Sequence, residues 1–404
     1  MNNNKKNMKK GTLGYFILLM FSPIISVILS AINAIKNNRY HSLLLFAVLL
    51  ALYASGINIT KIPIHDQENY LEQFYNVGNQ GFINTLIYGG GGSLREPIYG
   101  IYVYISYYLF MGNAKLFFLL TSFLILLFHY LTIINIAKKY KSPNYIIITG
   151  IVLLTFFVPF FSLTLHLVRQ ELATAIALYA ISLRAIDHKA YKQYIPYMII
   201  ALFTHSTSIL MLLISFLPGM NKELTYKRLL YLILIIATIT FTFPRISQSM
   251  LGGSDTNFVT YAMTRASSAE GLSDNATGTG MNKTILYIIA VPLILLSLRL
   301  YITKRKEVPP MITNLCLMMC IFVCLVSYSP LIQYRYFFVL YSFLILIPIL
   351  IFKKPNRNSK ISCFIISIAI IIFFLTSYDK NYDYASLTEI ICYPYPLYFT
   401  ITPY

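Results

Sequence analysis

Three polar residues interrupt a long apolar run between Tyr145 and Leu183, in the stretch Leu167-Val168-Arg169-Gln170-Glu171-Leu172-Ala173. Charge at the end of an apolar helix costs free energy unless it faces a polar cavity or a partner, which makes Arg169 the first candidate for a site. Its guanidinium is a planar fork that grips phosphate oxygens bidentately and keeps its charge. Arg169 also stands where a helix begins, so free backbone N–H groups and the positive end of the helix dipole add to anion binding. The plain alternative is that Arg169 and Glu171 sit at an interface with their heads in water. Arg335, in Gln333-Tyr334-Arg335-Tyr336 directly before another apolar run, could hold the same anion or a second one, or could serve as an interfacial anchor.

Anion grip alone is not catalysis. Group transfer onto a hydroxyl needs a base for its proton while the leaving oxygen is stabilised. Asp66, Glu96 and His205 are the candidates, imidazole being the group that titrates near neutrality. For His205 the alternative is a satisfied structural histidine at a helix turn. His166 and His65 are weaker candidates, and Gln170, Arg265 and Tyr336 complete the set as substrate contacts. Cys316, Cys320 and Cys324 share one helical face, but no histidine or carboxylate lies near them in sequence, so they read as packing residues and no metal site is expected.

The elements that must position these groups are membrane spans. Hydrophobic residues make up 57% of 404 and charged residues only 11%, which excludes a soluble globular domain. The fold class expected is all-α and polytopic, GT-C-like, with about 11–14 transmembrane or re-entrant helices in a single membrane domain over residues 1–404. Apolar runs cover residues 13–35 (broken by Pro23), 43–59, 97–111, 116–136, 145–165, 172–183, 194–203, 209–217, 229–243, 285–300, 311–326, 337–351 and 361–375. The first run has no small-residue cleavage site and is expected to stay in the membrane. No internal repeat appears, which argues against a transporter built from two related halves.

A net charge of +18 does not imply nucleic acid as a partner, because the basic residues cluster beside apolar runs rather than along a face with interleaved aromatics. Lys138-Lys139-Tyr140-Lys141, Lys304-Arg305-Lys306 and Lys353-Lys354 read as cytoplasmic loops. Residues 61–96 and 244–283 are then extracytoplasmic loops, with 97–111 taken as re-entrant or interfacial to satisfy the parity of crossings. Tyrosine numbers 34 and tryptophan is absent, so tyrosine is expected to supply the interfacial aromatic belt. On this topology Asp66, Glu96, Arg169, His205, Arg245, Arg265 and Arg335 gather at one membrane surface.

Four segments carry a family resemblance: Asp66-Gln67-Glu68-Asn69-Tyr70-Leu71 with Phe74, then Glu96-Pro97, then Arg169-Gln170-Glu171-Leu172-Ala173, then Phe203-Thr204-His205-Ser206-Thr207-Ser208. In order and spacing they resemble the EpsG family, which belongs with the Wzy-type polymerases of bacterial surface polysaccharides. Two departures stand out. The usual Phe-His dipeptide is one residue longer here, as Phe203-Thr204-His205, and the basic N-terminal extension is unusual for the family.

The resemblance implies glycosyl transfer between undecaprenyl-diphosphate-linked oligosaccharides at the outer face of the bacterial cytoplasmic membrane, without metal or cofactor. Membrane lipid is a further partner, and the resemblance admits a chain-length regulator protein. It assigns Arg169 and Arg335 to the diphosphate, Asp66 or Glu96 to acceptor activation, and His205 to either role. A lipid-linked oligosaccharide flippase, an O-antigen ligase and a membrane O-acetyltransferase are the rival readings. The flippase would need charge lining a central cavity, the ligase differs only in its acceptor, and the acetyltransferase would need a cytoplasmic histidine and arginine pair.

Overall fold

The computed structural model describes residues 2–61, 66–88, 96–250, 283–303, 308–326, 330–352, 356–378 and 386–401. In chain order the helices are α1 Asn2–Phe21, α2 Pro23–Asn37, α3 Tyr40–Asn58, α4 Asp66–Tyr88, α5 Pro97–Leu109 and α6 Ala114–Lys139. Then come α7 Asn144–Thr155, α8 Val158–His166, α9 Val168–Ile186, α10 Tyr191–Thr204, α11 Ser208–Phe216 and α12 Tyr226–Met250. The last are α13 Lys283–Thr303, α14 Pro310–Leu325, α15 Pro330–Tyr341, α16 Ile347–Ile351, α17 Arg357–Tyr378 and α18 Leu387–Cys392. Among the described residues there is no strand. The fold is that of an all-α, polytopic membrane protein.

Of these helices, α3, α6 and α17 are long and apolar enough to cross a membrane by themselves, and α7 with α8 forms a bent apolar pair, the geometry of a broken span or a re-entrant loop. Shorter apolar helices fall at Thr12–Phe21, Pro23–Asn37, Ile289–Leu300, Pro310–Leu325 and Arg335–Ile351. Residues 145–165, expected as one continuous span, bend by 62° between α7 and α8. The cause is Pro159: it has no N–H to give the carbonyl one turn back and its ring crowds that carbonyl, so the helix stops and restarts at Val158. The polar stretch read as a loop before Glu96 is largely the helix α4, broken at Gly81, whose φ of 69° and ψ of 176° lie in territory open to glycine. Residues 251–282, the bulk of the second polar loop, lie outside the described residues.

The chain divides into two compact units, one of residues 1–75, 106–168 and 352–404, the other of 76–105 and 169–351. In the first unit α3, α6 and α7 bury large aliphatic residues such as Leu43, Ile125 and Ile151, whereas α2 turns small residues inward and large aliphatic ones outward. On α2 the buried residues are Pro23, Ser26, Ser30 and Ala34, while Ile25, Ile28, Leu29, Ile32 and Ile35 are exposed. Lipid solvates those isoleucines as well as protein would, so helix contact there comes from close backbone approach across serine and alanine. Ser26 adds a hydrogen bond from Oγ to the Tyr15 carbonyl at 2.7 Å, tying α2 to α1. On α17 only Ser359, Cys363, Phe374 and Tyr378 are buried; Phe374 and Tyr378 pack edge-on against Phe161 of α8.

Several buried polar groups in this unit are paired across helices. The amide of Asn58, at the end of α3, donates to Thr164 Oγ1 and lies 3.3 Å from both Ser122 Oγ and the Phe161 carbonyl. At the basic turn after α6, Asn144 Nδ2 donates at 2.7 Å to the Ala34 carbonyl, which also accepts the Asn38 N–H at 3.1 Å, so the end of α2 is tied to α7. The C-terminal segment is stitched to α3 in the same way: Tyr53 donates to the Ile391 carbonyl at 3.0 Å and Tyr395 to the Leu52 carbonyl at 3.2 Å. Many tyrosines therefore sit in the interior rather than in a belt; Tyr53, Tyr130, Tyr378, Tyr395 and Tyr398 are all buried.

In the second unit α9 is lined by Ala173, Ala177 and Ala180, all fully buried, which lets neighbouring chain come close. Near its C-terminal end the Arg184 guanidinium lies 3.8 Å from the centre of the Phe216 ring and donates to the Ser215 carbonyl at 2.8 Å. Asn314 of α14 donates to the carbonyls of Met220 and Lys222 at 2.9 and 3.0 Å, fixing the turn that follows α11.

Glycine in a helix normally gives way to alanine with a gain of about 1 kcal/mol. Gly56 reverses the sign, because a Cβ there would meet Tyr398 Cδ2 at 2.6 Å and Tyr395 Cε2 at 3.0 Å. Gly56→Ala is expected to destabilise the detergent-solubilised protein by about 1–3 kcal/mol. Gly14→Ala, with nothing within 4 Å of its Cβ, should not. Thermal unfolding of the two variants checks this, and equal melting temperatures would show that the tyrosines do not pack on Gly56.

Candidate functional site

The second unit brings together three helix ends. Glu96 is the N-cap residue of α5: its carbonyl accepts the Gly100 N–H at 3.1 Å, and Pro97 occupies the first helical position, where its missing N–H costs nothing. Arg169 lies in the first turn of α9. His205 is the C-cap of α10, extended at φ −160° and ψ 138°, with its N–H on the Ala201 carbonyl at 3.2 Å.

All three side chains converge on the Glu96 carboxylate. Arg169 Nη1 donates to Oε2 at 2.8 Å, and His205 Nε2 stands 3.5 Å from Oε1. The Glu96 side chain is 1% exposed, against 19% for Arg169 and 15% for His205. The carboxylate is thus withdrawn from solvent while its two partners keep an open edge. A carboxylate this deep is stable only when charge-assisted donors replace its water, and both oxygens face one here. The guanidinium also lies 5.7 Å from the centre of the Tyr99 ring, at the outer range of a cation–π contact.

His205 is itself held. The Thr207 N–H donates to Nδ1 at 3.2 Å and Thr207 Oγ1 lies 2.8 Å from the same nitrogen. The extra residue between Phe203 and His205 does not prevent the imidazole from reaching Glu96. Gln170 Nε2 donates to the Arg335 carbonyl at 2.6 Å, which joins the first turn of α9 to α15. Tyr336 packs edge-on against Phe322, ring centres 5.1 Å apart.

Of the residues expected from sequence, then, Glu96, Arg169 and His205 form one ion-pair cluster, and Gln170 links it to Arg335. Asp66 belongs to the first unit, exposed at the start of α4. His166 is also in the first unit, its Nε2 3.1 Å from Lys61 Nζ. Arg265, Arg95, Asp255 and His65 lie outside the described residues, and of Arg245 only its place in α12 is described. Among the described residues no group of three or more histidine, cysteine, aspartate or glutamate side chains is arranged to hold a metal ion.

Sequence reasoning missed Thr207 and Tyr99. A hydroxyl residue two places after a histidine at a helix end is a recognisable local hydrogen-bonding pattern and could have found the first. Nothing in the sequence separates Tyr99 from the other tyrosines of α5. Glu171 is the surprise: it is fully buried, and neither carboxylate oxygen has a hydrogen-bond partner.

Arranged like this, the cluster sets a cation, a carboxylate that can accept a proton and an imidazole side by side. A family model, described as the EpsG family, matches residues 42–396. No curated protein and no solved structure matches the chain.

The Glu96–Arg169 pair is testable apart from any activity. A double-mutant cycle of Glu96→Ala and Arg169→Ala, read by thermal unfolding in detergent, is expected to give a coupling of about 1–3 kcal/mol. Additivity within about 0.5 kcal/mol would mean that the two side chains do not meet.

Proposed function

The chain belongs to the EpsG family, a Wzy-like polymerase family of membrane proteins, and on that footing we propose that it joins lipid-linked oligosaccharide repeat units into a surface polysaccharide. The substrates in this reading are undecaprenyl-diphosphate-linked oligosaccharides at the outer face of the bacterial cytoplasmic membrane. The growing glycan leaves its carrier and lands on a non-reducing-end hydroxyl of a fresh unit. The bond from the sugar's anomeric carbon to the diphosphate breaks as the bond to the acceptor oxygen forms. Carrier diphosphate leaves with the electron pair, and the hydroxyl proton goes to the base.

The observation that carries this reading is the Glu96 carboxylate shared between Arg169 and His205. Arg169 meets Glu96 through Nη1, and a guanidinium is the side chain suited to phosphate oxygens, whose negative charge grows as the bond breaks. When a diphosphate competes for the guanidinium, Oε2 of Glu96 is released to take a proton. Anion binding and unmasking of the base are then one event. His205 keeps Glu96 in place through Oε1 meanwhile. Arg335, fixed through its backbone by Gln170, is the second diphosphate contact in this reading, and Arg265 and Tyr336 meet the sugars.

Arg169→Ala is expected to leave the protein inserted at normal levels and to cut chain growth by on the order of 10²–10³. Cells would then carry single repeat units, seen on a gel of surface polysaccharide. Long chains of ordinary length from that variant would remove Arg169 from the reaction. The outer-face assignment has its own check in a cysteine-free background: a membrane-impermeant thiol reagent should label Asp66→Cys in intact cells and spare Lys139→Cys, and the opposite pattern would invert the topology.

A further inference from the structure

We propose that Thr207 is a positioning residue of the site, holding Nδ1 of His205 as a hydrogen-bond acceptor so that the ring proton sits on Nε2, toward Glu96. The inference deepens the reading of Glu96 as the base and rests on it. A backbone N–H can only donate, and that of Thr207 is 3.2 Å from Nδ1. A neutral imidazole carries one proton, so the nitrogen that accepts here leaves the hydrogen to the other. That other nitrogen is 3.5 Å from Glu96 Oε1. The opposite tautomer would turn a lone pair toward a carboxylate oxygen and set two N–H groups against each other at Nδ1.

The Thr207 hydroxyl strengthens this arrangement from 2.8 Å, and unlike the N–H it can turn. Donating to Nδ1, it reinforces the acceptor role and steadies the plane of the ring. The turn that carries it is fixed from the other side, where Ser208 Oγ is 3.0 Å from the Ala201 carbonyl and 2.9 Å from the His205 carbonyl. Thr207 is buried, in the break between α10 and α11, and acts through the imidazole. Its consequence is specific: His205 cannot serve as the proton acceptor while Nδ1 is occupied and Nε2 carries hydrogen. It stays a donor, and proton uptake falls to Glu96.

The test uses full-length protein in lipid nanodiscs, labelled with nitrogen-15 histidine, with the His205 resonances identified by their loss in His205→Gln. The expected wild-type spectrum has Nδ1 unprotonated and Nε2 protonated. Thr207→Val, which keeps the shape and deletes the hydroxyl, should move the Nδ1 resonance and lower the turnover rate about tenfold, leaving the half-saturating concentration of lipid-linked repeat unit unchanged. Thr207→Ser should restore both. A protonated Nδ1 in the wild type overturns the inference, and so does a Thr207→Val enzyme with wild-type turnover or a Thr207→Ser enzyme as slow as Thr207→Val. Undiminished chain growth in Glu96→Gln would instead overturn the reading of Glu96 as base, and the nitrogen spectrum would still decide which tautomer Thr207 imposes.

Discussion

An ionised carboxylate withdrawn from water must be answered by donors, and the meeting of three helix ends in the second unit answers Glu96. The chain supplies those donors from elements far apart in sequence: Arg169 lies 73 positions away, and His205 further still. Each comes from a helix terminus, where the backbone changes direction and a side chain can be aimed independently of helical periodicity. Pro97 starts α5, the extended residue His205 ends α10, and Arg169 opens α9.

A second constraint comes from the solvent. Lipid gives no reward for hiding isoleucine, so α2 and α17 face their large aliphatic groups outward and pack through serine, alanine and cysteine. Polar residues then bind helices together more than they do in a water-soluble core. Asn58, Asn144 and Asn314 each bridge separate segments through an amide, and two of them do so by satisfying backbone carbonyls at chain turns. The same logic accounts for tyrosine in the interior, where Tyr53 and Tyr395 spend their hydroxyls on carbonyls of neighbouring segments.

The positions of the apolar helices were legible in the sequence, since most expected runs overlap observed helices from Tyr40–Asn58 to Arg357–Tyr378, whereas the polar helix α4 was read as a loop because it carries no apolar run. The break at Pro23 was legible as well. The 62° bend at Pro159 was not drawn from the sequence, although the physics of a proline inside an apolar run contains it. For the site, residue type and the cost of charge singled out Glu96, Arg169 and His205, and the structure joins them. Their pairing was not legible, because nothing local encodes which carboxylate meets which guanidinium. Thr207 stayed hidden because threonine in a membrane helix break is ordinary until its hydrogen bond is seen. The motif stretch from Asp66 to Leu217 was also narrower than the match over residues 42–396.

The first unit is assembled from both ends of the chain, residues 1–75 with 106–168 and 352–404. Tyr395 and Tyr398 close on a glycine of α3, more than three hundred positions upstream. A ribosome making this chain therefore delivers Tyr395 and Tyr398 only after the whole of segment 169–351. Until then α3 presents a bare groove at Gly56. Closure of this unit over Gly56 consequently waits on the synthesis of everything between the two segments.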